Sequence, residues 1–307
     1  MFNKANPKIL GIAFAVLLGL VLIVKLGDSQ RGERSFKSEL IPFSASEINN
    51  IRIVPVNSKA YGLEKENDAW KVVKGDQRYP ASESQVKRVI NQLADLKVNQ
   101  VVATSSDDWD QYQVSDSLAT KVEVKAGGES TGLRVGKLNF DRRTRSATSY
   151  VRETEDENVY GVDGFLKMSF GRGPDAYRKK TIVRLENTDG ISRIAFDYPS
   201  EDSSFVLERN DNQWMVEGQA VDSASAEEYV DNIQNLNGSN FAELKNPDMS
   251  NPTYEATISG QPNIEVAAKK IAGQWIVHSS LLPGSYFSDS QGNLRDKLFV
   301  SKDSLLQ

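Results

Sequence analysis

The sequence has no cysteine and a single histidine, His278. The first absence excludes disulfides, thiolate metal ligands, thiol nucleophiles and a lipidated N-terminal cysteine. The second removes most of the side chains that build zinc sites or carry protons at neutral pH. P-loop, G-x-S-x-G and dinucleotide-binding fingerprints are also missing. There is no excess of positive charge: 37 Lys and Arg against 42 Asp and Glu leave a net charge of −5. Such a surface repels phosphate backbones, so general nucleic-acid binding is not expected. What remains is an ordinary globular composition, 39% hydrophobic and 26% charged, over 307 residues. That is enough chain for two domains, each with its own core.

One long apolar run is present. Residues 9–24 read ILGIAFAVLLGLVLIV, and Leu26 extends the run past Lys25. With Lys25 snorkelling, residues 9–26 approach the ~20 residues a bilayer span needs. Lys4 and Lys8 precede the run, and positive charge stays on the cytoplasmic side. Residues 1–26 are therefore expected to be a cytoplasmic tip and a transmembrane helix contacting the lipid bilayer through 9–26. The N-terminus would lie inside and the bulk of the chain outside the bacterial cytoplasmic membrane. The competing reading is a cleaved signal peptide, but Gly27-Asp28-Ser29 is a poor cleavage site. Residues 27–43 begin GDSQRGERSFKSEL and read as a polar tether.

The rest of the chain repeats itself. Leu63-Glu64-Lys65, Trp70 and Val72 recur in register as Leu207-Glu208-Arg209, Trp214 and Val216. Ile48, Ile51 and Ile53 match Ile191, Ile194 and Phe196. The stripe Val86, Val89, Ile90, Leu93, Leu96 matches Ala226, Tyr229, Val230, Ile233, Leu236. Ser149-Tyr150-Val151 is paired with Ser285-Tyr286-Phe287. Period-two alternation predicts strands, and Asn67-Asp68 predicts a hairpin turn. Ser82 and Gln85 have the spacing of a capping box ahead of a helix running to about Lys97. Asp222 or Ser223 would cap the second helix. Further strands are expected at 121–125, 132–136, 149–152 and 159–162, with Gly127-Gly128 as a turn. Their counterparts are expected at 255–258, 264–267, 274–278, 284–287 and 298–300. The expected fold class is α+β: an N-terminal transmembrane helix, then two duplicated antiparallel-β units at 44–172 and 173–307, each with one principal amphipathic helix. The joint falls near Gly171-Arg172-Gly173-Pro174.

Few residues carry a chemical signal. Ser84 and Lys87 have the S-x-x-K spacing of acyl enzymes, but S-D-N and K-T-G partners are absent. His278 has no Ser or carboxylate visibly paired with it. Asp107, Asp108 and Asp110, the group Glu153, Glu155, Asp156, Glu157, and Asp289-Ser290-Gln291-Gly292-Asn293 lack calcium-loop spacing and read as solvated turns. Arg142-Arg143-Thr144-Arg145 reads as a solvated hairpin tip, with lipid headgroups or an acidic partner as the alternative. Trp70 and Trp214 read as core rather than as sugar platforms, because they occupy equivalent places in two hairpins. No residue is assigned a catalytic, cofactor-binding or metal-binding role, and no cofactor is expected.

The order of these elements resembles a bacterial family catalogued as domain of unknown function 4340. The residues that carry the likeness are the Ile-x-x-Ile-x-Ile strand, Ala69-Trp70-Lys71-Val72, Leu93 and Leu96, Tyr112-Gln113-Val114, Lys121-Val122-Glu123-Val124, Val135-Gly136-Lys137, Tyr150-Val151-Arg152 and Val159-Tyr160-Gly161-Val162. The chain departs from the family where Gln113 stands in place of the usual glycine after tyrosine. The resemblance implies an anchored, non-cytoplasmic protein without known catalytic residues, often found beside ABC transporter components. It sets the expectation of a non-enzymatic accessory or scaffold subunit, partnered by permease or ATPase subunits. The alternative is an extracytoplasmic glycan- or peptide-binding module.

Overall fold

The computed structural model describes residues 37–186, 191–200, 203–211, 213–244, 246–260 and 262–306. The expected anchor at 1–26, and the tether up to residue 36, lie outside the described residues. Among the described residues no helix is long and apolar enough to cross a membrane.

Strand β1 (Ile48–Val54) pairs with β2 (Tyr61–Glu66), which runs through a two-residue turn into β3 (Ala69–Lys74) and β4 (Gln77–Pro80). The turn residues Asn67 and Asp68 both have positive φ, +47° and +64°, as a twist-matched hairpin requires. Helix α1 (Glu83–Ala94) then carries the chain over the sheet to β5 (Val98–Ala103) at the opposite edge. The short helix α2 (Trp109–Tyr112) precedes the meander β6 (Thr120–Ala126), β7 (Glu129–Asp141), β8 (Ser146–Glu153) and β9 (Val159–Asp163). The strand order is β4-β3-β2-β1-β6-β7-β8-β9-β5.

After helix α3 (Leu166–Gly171) the pattern starts again. The strands are β10 (Arg193–Asp197), β11 (Phe205–Asn210), β12 (Gln213–Val216), β13 (Gln219–Ala220), β14 (Asn240–Phe241), β15 (Tyr254–Ser259), β16 (Ile264–Ile271), β17 (Gln274–Ser279) and β18 (Tyr286–Asp289). Helix α4 (Ser223–Ile233) makes the crossing, and α5 (Asn293–Leu298) and α6 (Lys302–Leu306) close the chain. The order β13-β12-β11-β10-β15-β16-β17-β18-β14 reproduces the first sheet strand for strand. The internal repeat is thus a repeat of topology as well as of sequence.

Each copy has a core under its crossing helix. In α1 the buried residues are Val86, Val89, Ile90 and Leu93, the expected stripe, and they pack on Ile51, Ile53, Leu63, Val72, Val122 and Val124. Fully burying an aliphatic side chain of this kind is worth about 1.5–3 kcal/mol. The second core repeats the arrangement with Ala226, Tyr229, Val230 and Ile233 on Ile194, Phe196, Leu207 and Val216. Tyr177 still belongs to the first core, and Ile182 and Val183 open the second.

The expected α+β class is corrected by this arrangement. The described protein is mainly β, with nine antiparallel strands in each copy against one helix of 11 or 12 residues and a few short turns of helix. Four strands escaped the pattern reading, β4, β5, β13 and β14, because they are edge strands held by backbone pairing without apolar alternation. Pro80 sits at such an edge, where a missing N–H costs no ladder bond.

Smaller expectations are corrected too. The side chain of Ser82 makes no cap bond to α1; its hydroxyl lies 3.2 Å from that of Ser84, and its backbone N–H donates to Tyr177 O at 2.7 Å. Asp222 does cap α4, accepting from the Ser225 N–H at 3.1 Å. Residues 298–300 form no strand, since Leu298 ends α5. Ser149-Tyr150-Val151 lies on β8, whereas Tyr286 opens β18, the counterpart of β9. That one sequence match therefore joins non-equivalent strands.

Candidate functional site

An open cleft of about 930 Å³ lies on the outer face of the first sheet. Arg52, Lys121, Glu123 and Arg134 line it from β1, β6 and β7, and the turn Glu153-Thr154-Glu155-Asp156 walls one side. Strand register makes this face unusual. Val54 stands opposite Lys121, Lys121 opposite Arg134, and Arg134 opposite Arg152. Three cations thus occupy one cross-strand row, an arrangement that repels itself unless compensated.

Compensation comes from one carboxylate and from backbone dipoles. Asp116 accepts from Arg134 Nε at 2.5 Å and lies 3.7 Å from Lys121 Nζ. The hydrogen bond from Arg134 holds the Asp116 carboxyl below its ordinary pKa. Arg152 is only 2% exposed. Its Nε donates to Val114 O at 3.3 Å, and its Nη1 donates to the carbonyls of Glu153, Thr154 and Asp156 at 3.1–3.3 Å. The Trp109 ring covers the guanidinium at 3.7 Å. Burial, then the nearby Arg134, pushes the Arg152 pKa down from its usual value. Among the described residues no carboxylate touches Arg152 directly, so its charge is held by carbonyl dipoles and the Trp109 ring.

The segment over Arg152 is seated by a close backbone approach. A Cβ on Gly136 would lie 2.2 Å from Tyr112 O, so only glycine fits beneath that carbonyl. Two of the motifs that carried the family resemblance, Tyr112-Gln113-Val114 and Val135-Gly136-Lys137, thereby meet in space. Gln113 closes α2 with φ +57° and ψ +34°, the left-handed conformation that glycine adopts without strain. Gln113→Gly is therefore expected to raise stability by roughly 0.5 kcal/mol, after the loss of the side chain's bond from Lys167 at 2.8 Å. A thermal midpoint below that of wild type would contradict it.

The second copy does not repeat this chemistry. The equivalent row runs Asp197, Glu255, Ala267, His278. The single histidine therefore occupies the register position of Arg152. It stacks on Tyr286 at 5.1 Å, and its Nε2 lies 3.2 Å from Pro283 O. The other residues singled out in the sequence are scattered. Ser84 and Lys87 are exposed on α1 with no bond to one another among the described contacts. Among the described residues no group of three His, Asp or Glu is placed to hold a metal. Asp156 caps the Asn158 N–H at 2.9 Å and accepts from Tyr160, whose hydroxyl is pushed up to about 12 by burial and by that bond. Trp214 is buried, Trp70 and Trp275 pack against the two cores, and none of them lines the cleft. The cationic row went unread in the sequence because Lys121, Arg134 and Arg152 become neighbours only through strand register.

No characterised protein and no solved structure matches the chain. A family model does, described as Domain of unknown function (DUF4340), over residues 70–256, from β3 of the first sheet into β15 of the second. That span is more than half of the sequence and contains the row, its cover and the crossing into the second copy, so the chain belongs to the DUF4340 family.

Proposed function

We propose that this chain is a non-enzymatic accessory or scaffold protein of a bacterial cell-envelope complex, with transporter permease or ATPase subunits as the partner class. The observation that carries the reading is the divergence of the two copies. Both keep the same nine-stranded platform, but only the first displays the cationic row Lys121–Arg134–Arg152 beside an open charged cleft. A duplicated, rigid sheet with one specialised polar face suits docking of a partner more than bond making. Supporting it, the side chains with chemical potential are engaged structurally: Arg152 by carbonyls and Trp109, His278 by Tyr286, Asp156 by a turn. The apolar N-terminal run of the sequence and the family resemblance support placement at the cytoplasmic membrane, with the two sheets on the outside.

The cleft also favours one form of the alternative. Its lining mixes both signs of charge with the hydroxyls of Ser130, Thr131 and Thr154, and it holds no aromatic ring. Such a surface suits an extended polar peptide better than a glycan, which needs ring faces to stack on. The decisive experiment is affinity recovery from gently solubilised native membranes, comparing wild type with a Lys121→Glu/Arg134→Glu variant. Stoichiometric transporter subunits with wild type, reduced at least tenfold with the variant, are the expected result. Equal recovery by both proteins, or no membrane partner for either, would count against the scaffold reading.

A further inference from the structure

We propose that the β7–β8 hairpin tip is a contact site for an anionic lipid surface. Arg142, Arg143 and Arg145 form the tip, all three are exposed, and none has an ion-pair partner among the described residues. The structure adds what the sequence did not show. Phe140 is 49% exposed, Phe165 44% and Met168 59%, large apolar side chains held out in solvent. The Phe140 and Phe165 rings lie 6.2 Å apart, and Met168 follows Phe165 by three residues on the short helix α3, which packs against β7. Lys167 is also exposed on α3, with its ammonium donating to Gln113 Oε1 at 2.8 Å. An apolar cluster is thus set directly beside a cationic one.

Two acidic groups are near, and neither cancels the tip. Asp141 accepts from the backbone N–H groups of Arg143 and Thr144 at 2.8 and 3.3 Å, which keeps it ionised, but its one charge stands against three arginines. Asp163 ends β9 one strand away. The chain as a whole carries −5, so an anionic layer repels most of this protein and attracts this corner. The patch is small. Its residues line neither the cleft of the first sheet nor the smaller depressions at Asn237, Asn57 and Asn50, and three apolar side chains fall far short of the roughly 1,000 Å² a specific protein interface requires. A lipid headgroup layer has no such requirement: cations take the phosphates while aromatic and thioether side chains enter the interface. The site is separate from the start of the described chain, where Lys37 pairs with Glu153 at the other end of β8.

The absence of cysteine makes the test direct. A Thr144→Cys variant of the full chain carries one thiol, which is labelled with an environment-sensitive fluorophore; the protein is reconstituted through its N-terminal apolar run into phosphatidylglycerol-rich or pure phosphatidylcholine vesicles, so that the run contributes equally to both. The expected result is a blue shift with the anionic vesicles only, reversed by salt. Adding Arg142→Gln, Arg143→Gln and Arg145→Gln weakens the lipid response about a hundredfold, at the usual worth of a basic residue near an anionic surface. Phe140→Ser with Met168→Ser abolishes the blue shift but leaves salt-sensitive association. An equal shift on both vesicles, an unaltered response of the arginine variant, or no shift on anionic vesicles overturns the proposal. The last outcome would point instead to an acidic protein as the occupant of the tip.

Discussion

Alkaline solution is expected to unfold this protein steeply once the pH passes about 10, the ordinary pKa of tyrosine. Tyr61, Tyr177 and Tyr229 are 3%, 3% and 6% exposed, and each hydroxyl donates to a backbone carbonyl: Phe170 O at 3.1 Å, Ser169 O, and Leu298 O at 2.8 Å. Burial raises the pKa of all three. A phenolate in these places would lose the only proton the hydroxyl can donate and set a charge against a carbonyl oxygen in a dry core. Because the folded-state pKa values are raised, the stabilisation is complete below the unfolded value near 10 and is lost as pH climbs toward the folded values. Tyr160 and Tyr198 are raised by burial too; at about 1.4 kcal/mol per pH unit for each tyrosine in that window, the five together give a slope of up to roughly 7 kcal/mol per pH unit. Urea midpoints measured between about pH 9 and pH 11.5 test this. Tyr229→Phe should lower stability at neutral pH by about 1 kcal/mol through the lost hydrogen bond, yet flatten the alkaline slope by about a fifth. Stability that holds level through pH 11.5 would contradict the assignment of these hydroxyls.

Arg178→Ala is expected to cost about 2–4 kcal/mol and to loosen the joint between the two copies. Arg178 is 7% exposed and lies flat between two rings, with Tyr79 at 3.6 Å on one side and Phe241 at 3.4 Å on the other. Tyr79 belongs to β4 of the first sheet and Phe241 to β14 of the second, so the guanidinium is shared by both repeats. Its Nη1 pairs with Asp175 at 3.2 Å, and its Nη2 donates to Ser285 at 3.2 Å, while Nε is buried without a partner. Burial pushes its pKa down, and Asp175 acts in the opposite direction. The planar fork matters as much as the charge, because an ammonium cannot fill the slot between two ring faces. Arg178→Lys should therefore recover less than half of the loss. Thermal unfolding followed by circular dichroism distinguishes the cases: a single cooperative transition in wild type should broaden or split in Arg178→Ala. A variant within 1 kcal/mol of wild type and equally cooperative would remove Arg178 as the staple.

Taken alone, the sequence determined most of what depends on local periodicity and on the longer internal matches. The paired tryptophans 70 and 214, the two apolar stripes beginning at Val86 and Ala226 and the Asn67-Asp68 turn are visible as patterns, and the structure uses each of them. Alternating strands such as β6 and β16 declare themselves because one face is buried and the other wet. The counts of cysteine and histidine are likewise read directly from the sequence. The helix-to-strand balance was not, and the error has one cause. Edge strands such as β4 and β14 have no buried face to write a pattern; the backbone of a neighbour forms them. Misplacing Ser285-Tyr286-Phe287 against Ser149-Tyr150-Val151 has a related origin, because short strand segments look alike when only composition can be compared.

What only the tertiary structure decided is which distant side chains share a row, a slot or a corner. Lys121, Arg134 and Arg152 come together through antiparallel register, where a shift of one residue would turn each to the opposite face. Arg178 finds its two rings because the β3–β4 hairpin puts Tyr79 at one edge of the first sheet while α4 carries the chain to β14, and with it Phe241, at an edge of the second. Phe140, Phe165 and the tip arginines converge because β9 returns alongside β8 and delivers α3 beside the hairpin. Local sequence sets which residues prefer strand or helix; the pairing order of nine strands sets which of them meet.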